Sequence, residues 1–197
     1  MKIKVKNLGP LRQAEYELGD LTIICGRNNT GKTYVTYALY GFFDYWKSTY
    51  NFSVKNINKL IENGHISINL SEYRDKISDI LKQACKKYQK FLDRIFAARE
   101  GTFDDTIFEF YVRPEEINFD DVEYKRTISL AKTEFLEIFK EKEHEVLKIT
   151  LLTDATELDV SKEILRDLIG RAVKEVLMDK IIPDVFIASA ERTGAAI

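Results

Sequence analysis

The sequence predicts an α/β fold with a mixed sheet, and three observations carry that prediction. Strand-like runs stand at the N-terminus, a glycine-bearing loop and a helix follow them, and strand-like runs return near the C-terminal end. Helices layered on a sheet are the architecture such an order builds. The 197 residues, 45% of them apolar, suffice for one domain with a core and exclude a disordered chain. The chain reads as one lobe, 1–197, in three parts: strands, loop and first helix over 1–50, a mostly helical insertion over 50–145, and a return to the sheet over 145–197.

In IKVKNL, residues 3–8 with Lys2 before them, Ile3 and Val5 alternate with lysines, the period-two pattern of a half-buried strand. Gly9 and Pro10 make a turn, 11–18 reads as a second strand, and Gly19 and Asp20 turn the chain into LTIIC, a short apolar run at 21–25 read as a third. The segment from Gly31 to Trp46 then reads as a helix apolar around most of its circumference, hence buried, with Tyr34, Tyr37 and Tyr40 as packing residues.

SVKNINKLIENG has helical spacing and stops at Gly64, and HISINL alternates like a strand. From Ser71, a candidate N-cap, Ile77, Leu81, Ala84, Tyr88, Leu92 and Ile95 trace one face of a long helix to about Arg99. Its other face carries Lys76, Lys82, Lys86, Lys87, Lys90 and Arg94, which reads as a solvated surface or as a row that could follow a phosphate backbone. FDDTIFEFYV includes a strand, 126–143 reads as helix, EVLKITLLT at 145–153 as strand, and Asp154–Asp159 as a turn. Ser161 starts an amphipathic helix with Ile164, Leu165, Leu168, Ile169, Ala172, Val173, Val176 and Leu177 on its apolar face. Gly170 reads as a weak point costing about 1 kcal/mol relative to alanine. Pro183 ends it, and DVFIAS reads as a strand opening onto AERTGAAI.

Thirty basic residues against thirty-two acidic ones give a net charge of -2, so nucleic acid would be met only through a local basic face. The two cysteines, Cys25 and Cys85, lack metal or redox spacing, which fits a reducing compartment, and Cys25 reads as a small buried hydrophobe. No signal-peptide core and no membrane-length apolar run is present, so a cytoplasmic protein with no membrane contact is expected. His65 and His144 lack ligand spacing and read as structural or surface residues.

CGRNNTGKTY, residues 25–34, matches the phosphate-loop pattern at every defined position: Gly26, four residues, Gly31, Lys32, Thr33. Chance gives that spacing in roughly one chain per hundred of this length. Gly26 and Gly31 let backbone N–H groups approach phosphates closely. Lys32 supplies a compact cation for the β and γ phosphates, and the Thr33 hydroxyl joins the shell of Mg²⁺. Arg27, Asn28, Asn29, Thr30 and Tyr34 complete the expected ATP-binding set. No NKxD is present to read guanine.

IKVKNLGPLRQAEYELGDLTIICGRNNTGKT resembles the start of ABC-type ATPases of the RecF and structural-maintenance-of-chromosomes class, in particular the AAA-type ATPases allied to OLD nucleases. Those begin with a strand carrying a phrase like NFGPI, here NLGPL, and reach GxNxxGKS or GKT. The resemblance is specific over residues 1 to about 43 and weak through the middle. VFIASAERTG near the end resembles the IPAxRxG segment of the same ATPases, with Ser189 where proline is usual.

The resemblance implies a P-loop NTPase fold, an ABC-ATPase-like N-terminal lobe that binds ATP and Mg²⁺. It implies ATP held between two heads, hence a homodimer or larger oligomer, and work in DNA maintenance or anti-phage defence with a partner nuclease or toxin. Arg12 and Arg192 become further site candidates. Hydrolysis in such ATPases needs an LSGG-like signature and an adjacent Asp-Glu pair after an apolar strand. Neither is found, and Asp154 in ITLLTDATE is a poor substitute. The expectation is a lobe whose second half is truncated or supplied by another chain. The rival reading is a scaffold or regulator that binds nucleotide without hydrolysing it. A small-molecule phosphotransferase ranks below both, because no second substrate site or arginine-rich lid is legible.

Overall fold

The structure, a computed structural model, describes residues 1–153, 160–182 and 184–186. Two antiparallel sheets and six α-helices make up the described part, so the α/β class holds, with strand pairing antiparallel in both sheets rather than mixed.

The first sheet has the order β2-β1-β4, with β1 at Lys2–Leu8, β2 at Leu11–Glu17 and β4 at Ile107–Tyr111. The period-two reading of β1 holds: Ile3 and Val5 are buried on one face between Tyr16 and Ala14 of β2 and Phe110 and Phe108 of β4. Helix α1, Lys32–Ser48, crosses that face with Phe42 against both Phe108 and Phe110, centroids 5.1 and 5.2 Å apart. Helix α4, Ile77–Gln89, adds Tyr88, whose hydroxyl donates to Ala38 O at 2.7 Å. That bond satisfies a phenol that burial otherwise makes costly, and burial raises its pKa far above the ordinary range.

The second sheet has the order β3-β7-β6-β5, with β3 at His65–Asn69, β5 at Tyr124–Leu130, β6 at Thr133–Lys140 and β7 at Val146–Leu151. Helix α2, Ile57–Asn63, and helix α6, Lys162–Met178, pack beside it. Gly64 ends α2 in the left-handed conformation expected of a glycine stop. Ser161 caps α6 by accepting from the Ile164 N–H at 3.3 Å.

Several expectations are corrected. Residues 126–140 belong to the β5–β6 hairpin, not to a helix, and 141–143 follow it, because residues of β propensity and a two-residue turn at Ala131 and Lys132 outweigh the mixed charge pattern. The long helix from Ser71 is three pieces: α3 at Ser71–Asp75, α4, and α5 at Leu92–Ile95, with Leu70 rather than Ser71 in the cap position. The insertion therefore holds nearly as much strand as helix. On α6, Ile164 is half exposed rather than buried. Gly170 is a site of close approach: a Cβ there would collide with the backbone oxygen of Phe52 and come 3.2 Å from Asn51 Oδ1. LTIIC is not a strand; Leu21 and Ile23 are 80% and 77% exposed, and no described segment runs beside them to complete a hydrogen-bond ladder. The described part of DVFIAS, 184–186, is not a strand either. The turn at 154–159, Pro183, the end of DVFIAS, Ser189 and Arg192 lie outside the described residues.

Candidate phosphate-binding loop

The loop leaves the exposed 21–25 segment and feeds into α1, and Gly31 marks the junction at φ +90°. There the left-handed conformation and the packing both demand glycine, since an added Cβ would come 2.9 Å from Leu11 Cδ2 and nearer still to Cγ. Leu11 of β2 is thus a floor under the loop that sequence reasoning missed. Its only signal was the Gly-Pro turn that places it.

Nothing caps α1. Its first turn carries no acidic residue and no capping side chain, and among the described residues the N–H groups of Lys32, Thr33 and Tyr34 meet no acceptor. Three unsatisfied donors at the positive end of a 17-residue helix are the arrangement an anion would meet. Lys32 curls back over the loop and donates to Gly26 O at 2.8 Å and Arg27 O at 2.6 Å. Thr30 Oγ1 donates to Arg27 O at 2.8 Å, which fixes the loop internally, and Asn29 takes a left-handed φ of +63°. The Thr33 hydroxyl is exposed and has no hydrogen-bond partner among the described residues, as a group that joins a cation shell must.

The structure thus gathers Gly26, Arg27, Asn28, Asn29, Thr30, Gly31, Lys32 and Thr33 at the start of α1, with 26–30 and Thr33 exposed, Lys32 partly buried and Gly31 buried against Leu11. Tyr34 contributes its N–H alone, because its ring is turned inward and stacks on Phe96 at 5.0 Å and 20°. Tyr34 therefore packs as expected, whereas Tyr37 is exposed. Arg12 follows Leu11 on β2, is exposed, and makes no ion pair or hydrogen bond among the described residues. Alternation along a strand sends it to the face opposite Leu11. Cys25 is exposed rather than buried, which corrects the expectation of a small core residue, whereas Cys85 is buried and its thiol pKa is pushed up to about 12. His65 and His144 are exposed and bond to nearby backbone oxygens of Asn63 and Lys142.

Among the described residues no cluster of three or more His, Cys, Asp or Glu could hold a metal by itself. The donor set fits a triphosphate that brings Mg²⁺ with it: backbone N–H groups and one ammonium for the phosphates, one hydroxyl for the cation. No helix of the described part is long and apolar enough to cross a membrane. No curated protein and no solved structure matches the chain. A family model described as the AAA ATPase domain matches residues 1–192, a span that contains the loop, the helix it leads into and both sheets. With that match and an uncapped helix behind GRNNTGKT, the chain belongs to the AAA ATPase domain family, a nucleotide-binding P-loop ATPase fold.

Proposed function

We propose that the chain is the ATP-binding lobe of an ABC- or RecF-like ATPase in which ATP is enclosed between two heads. The observation that carries this reading is the open anion site itself: the uncapped first turn of α1, with Lys32 and Thr33 beside it, on a loop exposed at every position from 21 to 30. A triphosphate seated there would stay open to water on its outer side. Catalysis of phosphoryl transfer depends on positioning and on charge stabilisation away from bulk water, so a second surface covering the loop is the natural complement. The exposed Leu21 and Ile23 next to it support such a cover.

In this scheme the Lys32 ammonium exchanges the Gly26 and Arg27 carbonyls for phosphate oxygens. The first-turn N–H groups hold the β phosphate, and Thr33 turns its hydroxyl to the cation. The resemblance of residues 1 to 43 to RecF-like and OLD-allied ATPases supports a role in DNA maintenance or anti-phage defence, with any cleaving activity in a partner nuclease or toxin. The rival is a regulator that binds ATP without turnover and signals by assembly.

Calorimetry of ATP with Mg²⁺, run on the chain and on Lys32→Ala with phosphate release recorded in the same samples, tests both. Binding that disappears in Lys32→Ala supports the site. Turnover that also depends on Lys32 favours the ATPase, and its absence at saturating ATP favours the regulator. No binding by the unmodified chain would sink the proposal.

A further inference from the structure

The basic row noticed in the sequence survives folding as a free surface. Lys76, Lys82, Lys86, Lys87, Lys90 and Arg94 are all exposed, and among the described residues none has a carboxylate partner. At 100° per residue, Lys76 at the N-cap of α4 and Lys87 share one flank of that helix, and Lys82 and Lys86 lie about 110° round from the Lys76–Lys87 line; Lys90 is the C-cap of α4 and Arg94 belongs to α5.

The Lys76 flank borders a groove of about 760 Å³ that runs between β3 and the start of α4. Its lining includes Lys55, Lys59 and Lys76 and the neutral donors Asn56, Asn63 and Gln83, against two acids, Glu72 and Asp79. The Lys87 ammonium sits 5.6 Å over the ring of Tyr50, another lining residue, and so extends the cationic wall along the helix.

The far wall adds backbone donors. Gly64 O accepts from Leu151 N and Leu70 N donates to Glu145 O, so in the antiparallel ladder Ile66 and Ile68 turn their backbone groups to β7. His65, Ser67 and Asn69 turn theirs to the open edge, where no described backbone group meets them.

We propose that this groove and the adjoining flank of α4 bind the backbone of single-stranded nucleic acid. Lys55, Lys59, Lys76 and Lys87 contact phosphates, and Ser67 N–H and the groove amides donate to phosphate or base edges. Lys76 and Lys87 stand about 16 Å apart along the helix axis, far enough to meet different phosphates of one strand. The groove is lined by β3 on one side and the start of α4 on the other, so a single strand lying in it would meet both walls. The net charge of -2 for the whole chain confines the attraction to this face.

The test is fluorescence anisotropy with labelled 20-nucleotide oligothymidylate and oligouridylate and a 20-base-pair duplex, from 50 to 200 mM salt. Single strands should bind more tightly than the duplex, and the two single-strand probes separate DNA from RNA as the source. Lys76→Glu/Lys87→Glu should lose at least tenfold in affinity and flatten the slope of log K against log salt by about 1.4, two phosphate contacts' worth. Lys82→Glu/Lys86→Glu, the same charge change on the other flank, should lose less than twofold.

Equal losses in the two variants would overturn the site, as would no binding at 50 mM salt, preference for the duplex, or equal displacement by polyglutamate. The inference does not rest on the ATPase reading. ATP affinity measured by calorimetry on both variants keeps the two apart and doubles as a folding control.

Discussion

The ring of Tyr34 lies directly against the Cα of Gly9, so that a Cβ on Gly9 would come within 2.7 Å of ring atoms Cδ1 and Cζ. Gly9 belongs to the β1–β2 turn and Tyr34 to the first turn of α1, and Leu11 against Gly31 repeats the contact two residues on. The hairpin turn and the phosphate loop are therefore built as one unit, and a change in the first should be read in the second.

Gly9→Ala tests this. The position has φ +57°, so alanine adds backbone strain as well as the clash. The expected loss is about 1–3 kcal/mol of stability, with weaker ATP binding because α1 is pushed off the turn. Urea melts and calorimetry report the two effects. A loss of stability with ATP affinity intact would separate the turn from the loop.

Gly170→Ala is the case in which helix propensity and packing predict opposite signs. Alanine in an exposed helix interior gains about 1 kcal/mol over glycine. Here the Phe52 carbonyl occupies the Cβ position, and backbone cannot move aside as a side-chain tip can. Overpacking should win, with a net destabilisation of about 1–3 kcal/mol in urea melts. A stabilised variant would mean that the 50–54 segment can lift off α6.

That residue shows what sequence can and cannot carry. The loop was legible because its chemistry is local: Gly26, Gly31, Lys32 and Thr33 act within eight positions. Strand β1 and the Ser161 cap were legible for the same reason. Gly170 reads as a defect until Phe52, more than a hundred residues away, is placed beside it. LTIIC looked like a strand because its composition fits one, but a strand exists only where another supplies its hydrogen bonds. Leu11 and Gly9 matter through contacts between elements, which periodicity does not record.

The β5–β6 hairpin escaped notice because its turn lacks the usual residues. Ala131 holds φ +58° in a two-residue connection where Leu130 pairs with Thr133, a conformation that favours glycine. Ala131→Gly should therefore stabilise by about 0.5–1 kcal/mol despite the freedom it gives the unfolded chain. A melting temperature raised by a few degrees is the expected readout, and a lowered one would argue against the left-handed turn.

Lys174 of α6 caps the other end of the phosphate-loop helix. Its buried ammonium donates to Trp46 O at 2.8 Å and Lys47 O at 3.1 Å, carbonyls of the last turn of α1, and to Tyr50 O at 2.6 Å just beyond it. Lys174→Met keeps the bulk and strands those oxygens, so it should cost about 1–3 kcal/mol at pH 7. Burial lowers the pKa of Lys174 to about 8, below the ordinary 10.5. The charged form thus carries a desolvation penalty that is fully present below pH 8. As pH rises from 8 toward 10.5 the folded chain has released this proton and the unfolded chain still holds it, so stability rises. Urea melts of the chain and of Lys174→Met at pH 7 and pH 9.5 isolate the effect, since other groups cancel in the difference. The gap between them should widen by about 1–2 kcal/mol at the higher pH. A gap that narrows instead would show that the three carbonyls and the helix end hold the proton more firmly than burial expels it.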